Sequence, residues 1–348
     1  MQRGEYKRCQ LRVTGFTQQQ TPLAANFRIS QRYNQQMNDL SIAYIIFNRP
    51  RHTRETFEAI RAAQPSRLFL IADGPRPGHP TDAERSQAVR EIVANIDWPC
   101  EVHRNFAEKN LGLKKRISSG LDWVFEHVDR AVILEDDCLP HPDFFPFCEQ
   151  MLERYQGDER IWTVTGNNYQ NGKKRGNASY YFSKYGHCWG WATWKRAWQQ
   201  FDGDITFWPE WKLSEDWRLK TPDPYEQAYW IDIFDRIYLK KIDSWAYPWM
   251  TCLWYHGGLT VTPKVNLVTN IGIGPDGTHT LADEDQPGTP VKPLGAITHP
   301  PGVTQNLIAD QYVFDHLLGG LYQKFPRRLL KFPIRVKNKI VRVLKGKP

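Results

Sequence analysis

No uninterrupted apolar run in this chain reaches the length of a membrane-spanning helix, and no signal-like apolar core follows the opening residues. Neither G-x-G-x-x-G nor G-x-x-x-x-G-K-[ST] occurs, which removes the usual dinucleotide and P-loop readings. The six cysteines (Cys9, Cys100, Cys138, Cys148, Cys188, Cys252) form no C-x-x-C pair. They read as free thiols in a reducing compartment, with no disulfide framework and no structural zinc. Acid is absent from Lys324 onward, where ten Lys and Arg fall, so the +8 net charge leaves about −2 for the rest of the chain. A basic tail is therefore expected, not a nucleic-acid-binding body. The chain is expected to be soluble and cytoplasmic, and peripheral on the inner face of the membrane.

What is present is a consecutive acidic triplet, Glu135-Asp136-Asp137, directly after the apolar run 131–134. Three adjacent carboxylates at the mouth of a buried strand repel one another unless a cation sits among them. Mg²⁺ or Mn²⁺ suits one or two carboxylates completed by water and substrate phosphate. Upstream, strand patterns at 41–47, 67–72 and 100–104 alternate with helical ones at 54–63, 81–95 and 113–126. Thr81 and Glu84 have capping-box spacing at the start of the second helix. Such alternation predicts an α/β fold, a mostly parallel sheet flanked by helices, with ligands beyond the carboxyl ends of the strands. Asn48-Arg49, Asp73-Gly74 and the acidic triplet would all arrive at that edge, with Lys114 and Arg116 placed to meet a diphosphate.

The segment Val-Ile-Leu-Glu-Asp-Asp-Cys-Leu-Pro-His-Pro-Asp-Phe-Phe over 132–145 resembles the acidic motif of metal-dependent GT-A glycosyltransferases. The resemblance is to N-acetylglucosaminyltransferase I of N-glycan processing and to bacterial hemolytic-protein-like sugar transferases. Ile46-Phe-Asn-Arg49, Leu70-Ile-Ala-Asp-Gly74, Asn110-Leu-Gly112 and Gly186-His-Cys-Trp-Gly-Trp191 occur in matching order, spanning about 41–316. The resemblance implies a GT-A (Rossmann-like) sheet with an appended aromatic-rich acceptor region. It also implies inverting transfer of a hexosyl or N-acetylhexosaminyl group from a nucleotide-sugar donor, a UDP-sugar, to a glycan or lipid-linked acceptor. Asp137 would hold the metal, and Glu135 and Asp136 ribose or ordered water. Arg49, Asp73 and Arg116 would contact the nucleotide, and Trp189, Gly190 and Trp191 would lie near the donor sugar. The family's carboxylate beside Trp has two counterparts here, in Ser214-Glu-Asp-Trp217 and Ile242-Asp-Ser-Trp245.

Transfer needs a neutralised leaving phosphate and a deprotonated acceptor hydroxyl. Asp243, set among aromatic residues, is the first choice for the base, and Asp216 the second. Asp232 and Asp235 read as solvated or ion-paired. His279, in a glycine-rich loop, is a candidate second metal ligand, with His256 a weaker one. Trp191, Trp245 and Trp249 adjoin the candidate catalytic segments and are expected to touch sugar.

The expected organisation is a glutamine-rich leader (1–38), one catalytic domain (39–320) and a basic amphipathic tail (321–348). Met37 is a candidate start. Residues 282–301, rich in Pro, Gly and acid, read as a long surface loop that orders over the site. In the tail, Val336, Ile340, Val343 and Leu344 follow helical spacing among basic residues, a pattern suited to an anionic membrane surface. Two competing readings are a metal-dependent nucleotidyltransferase and a non-catalytic membrane-binding or lytic protein.

Overall fold

The structure is a computed structural model, and it describes residues 40–272 and 290–324. The expected leader, His279, Met37 and nearly all of the basic tail lie outside the described residues. No described helix is long and apolar enough to cross a membrane.

The strands are β1 (Ser41–Ile46), β2 (Arg67–Ala72), β3 (Glu101–Phe106), β4 (Arg130–Glu135), β5 (Cys138–Pro140), β6 (Ile161–Thr165), β7 (Tyr180–Ser183), β8 (Trp191–Trp194), β9 (Leu259–Pro263) and β10 (Val268–Asn270). The helices are α1 (Pro50–Ala63), α2 (Asp82–Ile92), α3 (Leu113–His127), α4 (Phe144–Arg154), α5 (Lys195–Trp198), α6 (Trp208–Trp211), α7 (Glu215–Lys220), α8 (Pro224–Tyr238), α9 (Ala246–Tyr255) and α10 (Leu307–His316). Eight strands form one sheet in the order β3-β2-β1-β4-β8-β6-β9-β7. β1 to β4 are mutually parallel, whereas β8 and β7 run against their neighbours. The expected α/β class, a mostly parallel sheet between helices, is therefore the observed one.

Strand alternation sorts the core into two layers. Ile42, Tyr44, Ile46, Leu68, Leu70, Val132 and Leu134 face α1, α2 and α4, contributing to one cluster with Phe57, Ile60, Val89 and Met151. Ala43, Ile45, Phe69, Ile71, Ala131 and Ile133 face the other way, onto Ile117, Leu121, Val124 and Phe125 of α3. That second layer continues into the tryptophan-rich part of the chain. Because β1, β2 and β4 are buried on both faces, their sequences are continuous apolar runs and do not alternate with polar residues.

The capping box expected at Thr81 does not form: α2 begins at Asp82 and the Thr81 side chain makes no cap hydrogen bond. Asp82 instead turns inward, where Asn48 donates to it at 2.7 Å and the Arg76 guanidinium at 2.6 Å. Those contacts hold its carboxyl well below the usual carboxylate range. Here the Asn48 hydrogen bond ties the β1 end to Asp82 while the Arg76 ion pair closes the 76–82 loop.

Candidate active site at the carboxyl edge of the sheet

The parallel register aligns the ends of β1, β2 and β4, with Ile45 opposite Glu135 and Ile46 opposite Ala72. The chain leaves these strands as Phe47-Asn48-Arg49, Asp73-Gly74 and Asp136-Asp137, so the structure brings these three polar termini to one edge. Arg49 stands between two members of the triplet: one guanidinium nitrogen pairs with Asp136, and the other donates to Asp137 Oδ2 at 2.8 Å. Asp136 is buried at 2% exposure, receives the Phe47 N–H at 3.3 Å, and its carbonyl accepts from Thr56 Oγ1 at 2.9 Å. Asp137 keeps 14% of its side chain exposed.

One guanidinium cannot balance three carboxylates. Burial, then the charges of Asp137 and Asp136, push the Glu135 carboxyl up to about 8, with Arg49 only partly opposing. Burial likewise pushes Asp136 up to about 6 although Arg49 favours its charged form. The cluster is thus short of positive charge, the electrostatic condition that a cation or cationic ligand relieves. Among the described residues no three His, Cys, Asp or Glu side chains converge on a metal-binding point. An ion here would therefore draw on one or two carboxylates and take further oxygen ligands from water or substrate, the habit of Mg²⁺ and Mn²⁺.

A strand return not foreseen in the sequence closes over the motif. β10 pairs with β5, Asn270 opposite Cys138, and the Ile271 N–H donates to the Asp137 carbonyl at 2.8 Å. The Ile271 carbonyl sits 3.0 Å from His52 Nε2. Gly272 then passes so close that an added Cβ would lie 2.5 Å from Asp137 Oδ2 and 2.9 Å from Arg49 Nη1. This close approach is a reason for glycine at 272.

Asp73 is committed to structure. Its Oδ1 accepts from the Gly74 and Leu111 N–H groups at 2.8 and 2.9 Å, and its Oδ2 from Asn110 Nδ2 and the Gly112 N–H at 3.0 and 3.1 Å. This fixes the turn from which α3 starts. Arg116, in the first turn of α3, is buried. Its Nη2 donates to the Asn105 carbonyl and side chain at 3.0 and 2.9 Å, while its Nε has no partner among the described residues. Burial lowers its pKa, with Asp73 opposing. Lys114 is farther out, paired with Asp204 at 3.2 Å.

β8 runs back from the same edge, Trp191 opposite Ile133, so the loop leading into it lies beside the acidic motif. Trp189 and His187 are half-buried there, with the Tyr169 ring edge-on to His187 at 4.6 Å and to Trp189 at 6.2 Å. Burial pushes His187 down to about 4, so its ring is neutral near pH 7. Burial and the charge of Glu135, followed by Asp137, push the Cys188 thiol up to about 12, which marks Cys188 as a neighbour of the triplet. Gly190 has φ +67°, and a Cβ there would lie 2.6 Å from Val268 Cγ2. Tyr169 and His187 were not foreseen as site residues. The aromatic richness of 185–191 hinted at His187, and nothing local marked Tyr169.

Trp191, Trp245 and Trp249, expected to touch sugar, are in the core instead. Trp191 stacks on Trp245 at 5.5 Å and meets Trp249 at 5.6 Å, and all three are nearly fully covered. They face the α3 layer, where apolar partners are at hand. Of the two base candidates, Asp216 lies in α7 and Asp243 in the loop between α8 and α9. Asp216 accepts the Trp211 indole N–H at 2.7 Å, whereas Asp243 is exposed and unpaired among the described residues. Asp235 pairs with Lys212 at 2.9 Å and Asp232 with Arg236 at 3.7 Å, the ion-paired state expected of them. His256 stacks on Trp162 at 5.1 Å.

No family model matches the sequence, and no curated protein does. Among solved structures, one of UDP-glucose pyrophosphorylase complexed with UDP-glucose is similar, at 12% identity and a TM-score of 0.24, over 42% of this chain and 63% of that one. The match spans under two thirds of that chain, and a likeness so slight carries no argument about this one.

Proposed function

We propose that this chain is a metal-dependent, inverting glycosyltransferase that moves a sugar from a nucleotide diphosphate donor, a UDP-sugar, to a hydroxyl of a glycan or lipid-linked acceptor. The observation that carries the reading is the charge imbalance at the sheet edge, three carboxylates against the single guanidinium of Arg49. A divalent cation carried by a nucleoside diphosphate would relieve that imbalance. Asp137, with 14% of its side chain exposed, would hold Mn²⁺ or Mg²⁺ with Glu135 beside it, and His279 is a candidate further ligand. When bound, the ion would neutralise the departing diphosphate.

The remaining roles belong to the chain itself. Arg49 fixes the carboxylates of Asp136 and Asp137, Asp73 fixes the turn at the start of α3, and buried Arg116 ties that turn to Asn105 of β3. Trp189 and Tyr169 offer aromatic faces for the sugar. Asp243, exposed and unpaired, is the first candidate for the acceptor's base, and Asp216 the second.

A nucleotide-sugar panel with Mn²⁺, scored for free nucleoside diphosphate, tests this directly. Turnover should require the cation and be largely lost in Asp137→Asn with folding preserved, since an amide cannot replace the charge that holds the ion. Activity near wild type in that variant contradicts the metal role. Release of pyrophosphate from a nucleoside triphosphate would identify a nucleotidyltransferase instead, and no turnover with either substrate class would leave a non-catalytic binding protein.

A further inference from the structure

The loop between β6 and β7 contains Asn171-Gly-Lys-Lys-Arg175, and it leaves β6 at the edge that carries the acidic motif, because Thr165 and Ile133 both pair with Trp191. Lys173 and Lys174 are exposed and have no ion pair among the described residues. The loop is anchored to α10: Gln170 Nε2 donates to the Ala309 carbonyl at 3.1 Å, and Arg175 and Lys173 lie over the Tyr312 ring at 5.1 and 5.7 Å. One turn before Tyr312, on the outer side of α10, Leu307 and Ile308 are 68% and 73% exposed. The inner side is anchored by buried Ala309, Asp310, Val313 and Phe314, with Ser183 Oγ donating to Asp310 at 2.5 Å. The nearby acids Asp315 and Asp223 share Lys324, each at 2.8 Å, which leaves one net negative charge against the three cations of the loop.

We propose that this patch, a rigid apolar pair beside an unpaired cationic loop, docks the folded body on an anionic lipid bilayer, independently of the C-terminal tail. Leu307 and Ile308 would enter the headgroup boundary while exposed Lys173 and Lys174 meet lipid phosphates, the division of labour of interfacial helices. An acidic glycan would match the cations but leaves the apolar pair unused, so charge and hydropathy together favour the bilayer. Resting on the glycosyltransferase reading, docking here would hold the active edge toward a lipid-linked acceptor.

Co-sedimentation of the full chain with phosphatidylcholine vesicles, with and without phosphatidylglycerol, tests the surface without needing turnover. Its failure is therefore separate from failure of the enzymatic reading. The full chain should bind only the anionic vesicles. Leu307→Ser with Ile308→Ser, and separately Lys173→Glu with Lys174→Glu, should each weaken binding at least about tenfold while the melting temperature stays unchanged. Wild-type binding by either double variant overturns the proposal, as does indifference of the intact protein to anionic lipid. Binding to heparin without binding to vesicles would assign the loop to an acidic glycan and overturn it equally.

Discussion

Gly272 and Asp137 are 135 positions apart, yet the former is fixed by the latter. In Gly272→Ala the new methyl would overlap Asp137 Oδ2 and crowd Arg49, so either the carboxylate or the returning strand must move. The expected cost is about 1–3 kcal/mol, the usual scale for forcing extra volume into a packed site. It should appear in urea denaturation together with weakened nucleotide-sugar binding. A variant as stable as wild type with unchanged affinity would mean that the return segment does not shape the site. The base is tested by a different contrast. Asp243→Asn should still bind donor but transfer at least roughly 10²-fold more slowly. Asp216→Asn should mainly loosen Trp211, whose indole N–H its carboxylate receives. If the kinetic defect follows Asp216 instead, the two roles are exchanged.

At the scale of elements, the tryptophan-rich helices act as a packed layer covering one face of the sheet. Trp249 in α9 meets Trp162, Trp191 and Trp198 at ring separations of 5.9, 5.6 and 5.3 Å. Trp249→Ala should therefore destabilise the protein by about 3–5 kcal/mol, as expected for deleting a large buried aromatic. Chemical denaturation reads the loss. Donor binding should fall only in proportion to the folded fraction. A stable Trp249→Phe protein with selectively impaired sugar binding would restore the sugar-contact role. Caps separate the helices in a similar way. Asp223 accepts the Tyr225 and Glu226 N–H groups at 2.9 and 3.4 Å at the start of α8, whereas the Thr81 side chain makes no cap hydrogen bond at the start of α2.

For the whole molecule, the buried acidic edge gives stability a pH dependence. Glu135 holds its proton to about pH 8 in the folded chain, against about 4.3 for an ordinary glutamate, so folding takes up a proton between those values. A raised carboxyl pKa contributes stability that is fully present at low pH and is lost as pH rises through the folded value. His187, lowered to about 4, works in the opposite direction but is neutral in both folded and unfolded chains well above pH 6.5. In chelator, the melting temperature should therefore fall between about pH 6.5 and 8.5. The slope should flatten in Glu135→Gln, and added Mn²⁺ should reduce it. The same slope in the Gln variant would exclude Glu135 as its source.

The α/β class, the helices at 113–126 and 54–63 and the acidic edge were legible because each is a local pattern. A strand buried on both faces must be continuously apolar, an amphipathic helix must repeat every three to four residues, and a polar strand end must stop the run. Arg49 was legible as a residue at that edge but not as the partner of Asp136 and Asp137. The β10 return, the aromatic wall of Tyr169 and His187, and the burial of Trp191, Trp245 and Trp249 were not legible. Their partners are distant in sequence: Arg49 and Asp137 are 88 positions apart, and His52 and Ile271 are 219 apart. By itself the sequence determined which segments are strands and which strand ends carry charge, since backbone periodicity and apolar burial act over a few residues. Only the tertiary structure decided which charges neutralise one another and which tryptophans turn inward. Ion pairing and ring packing depend on distances set when the whole sheet closes.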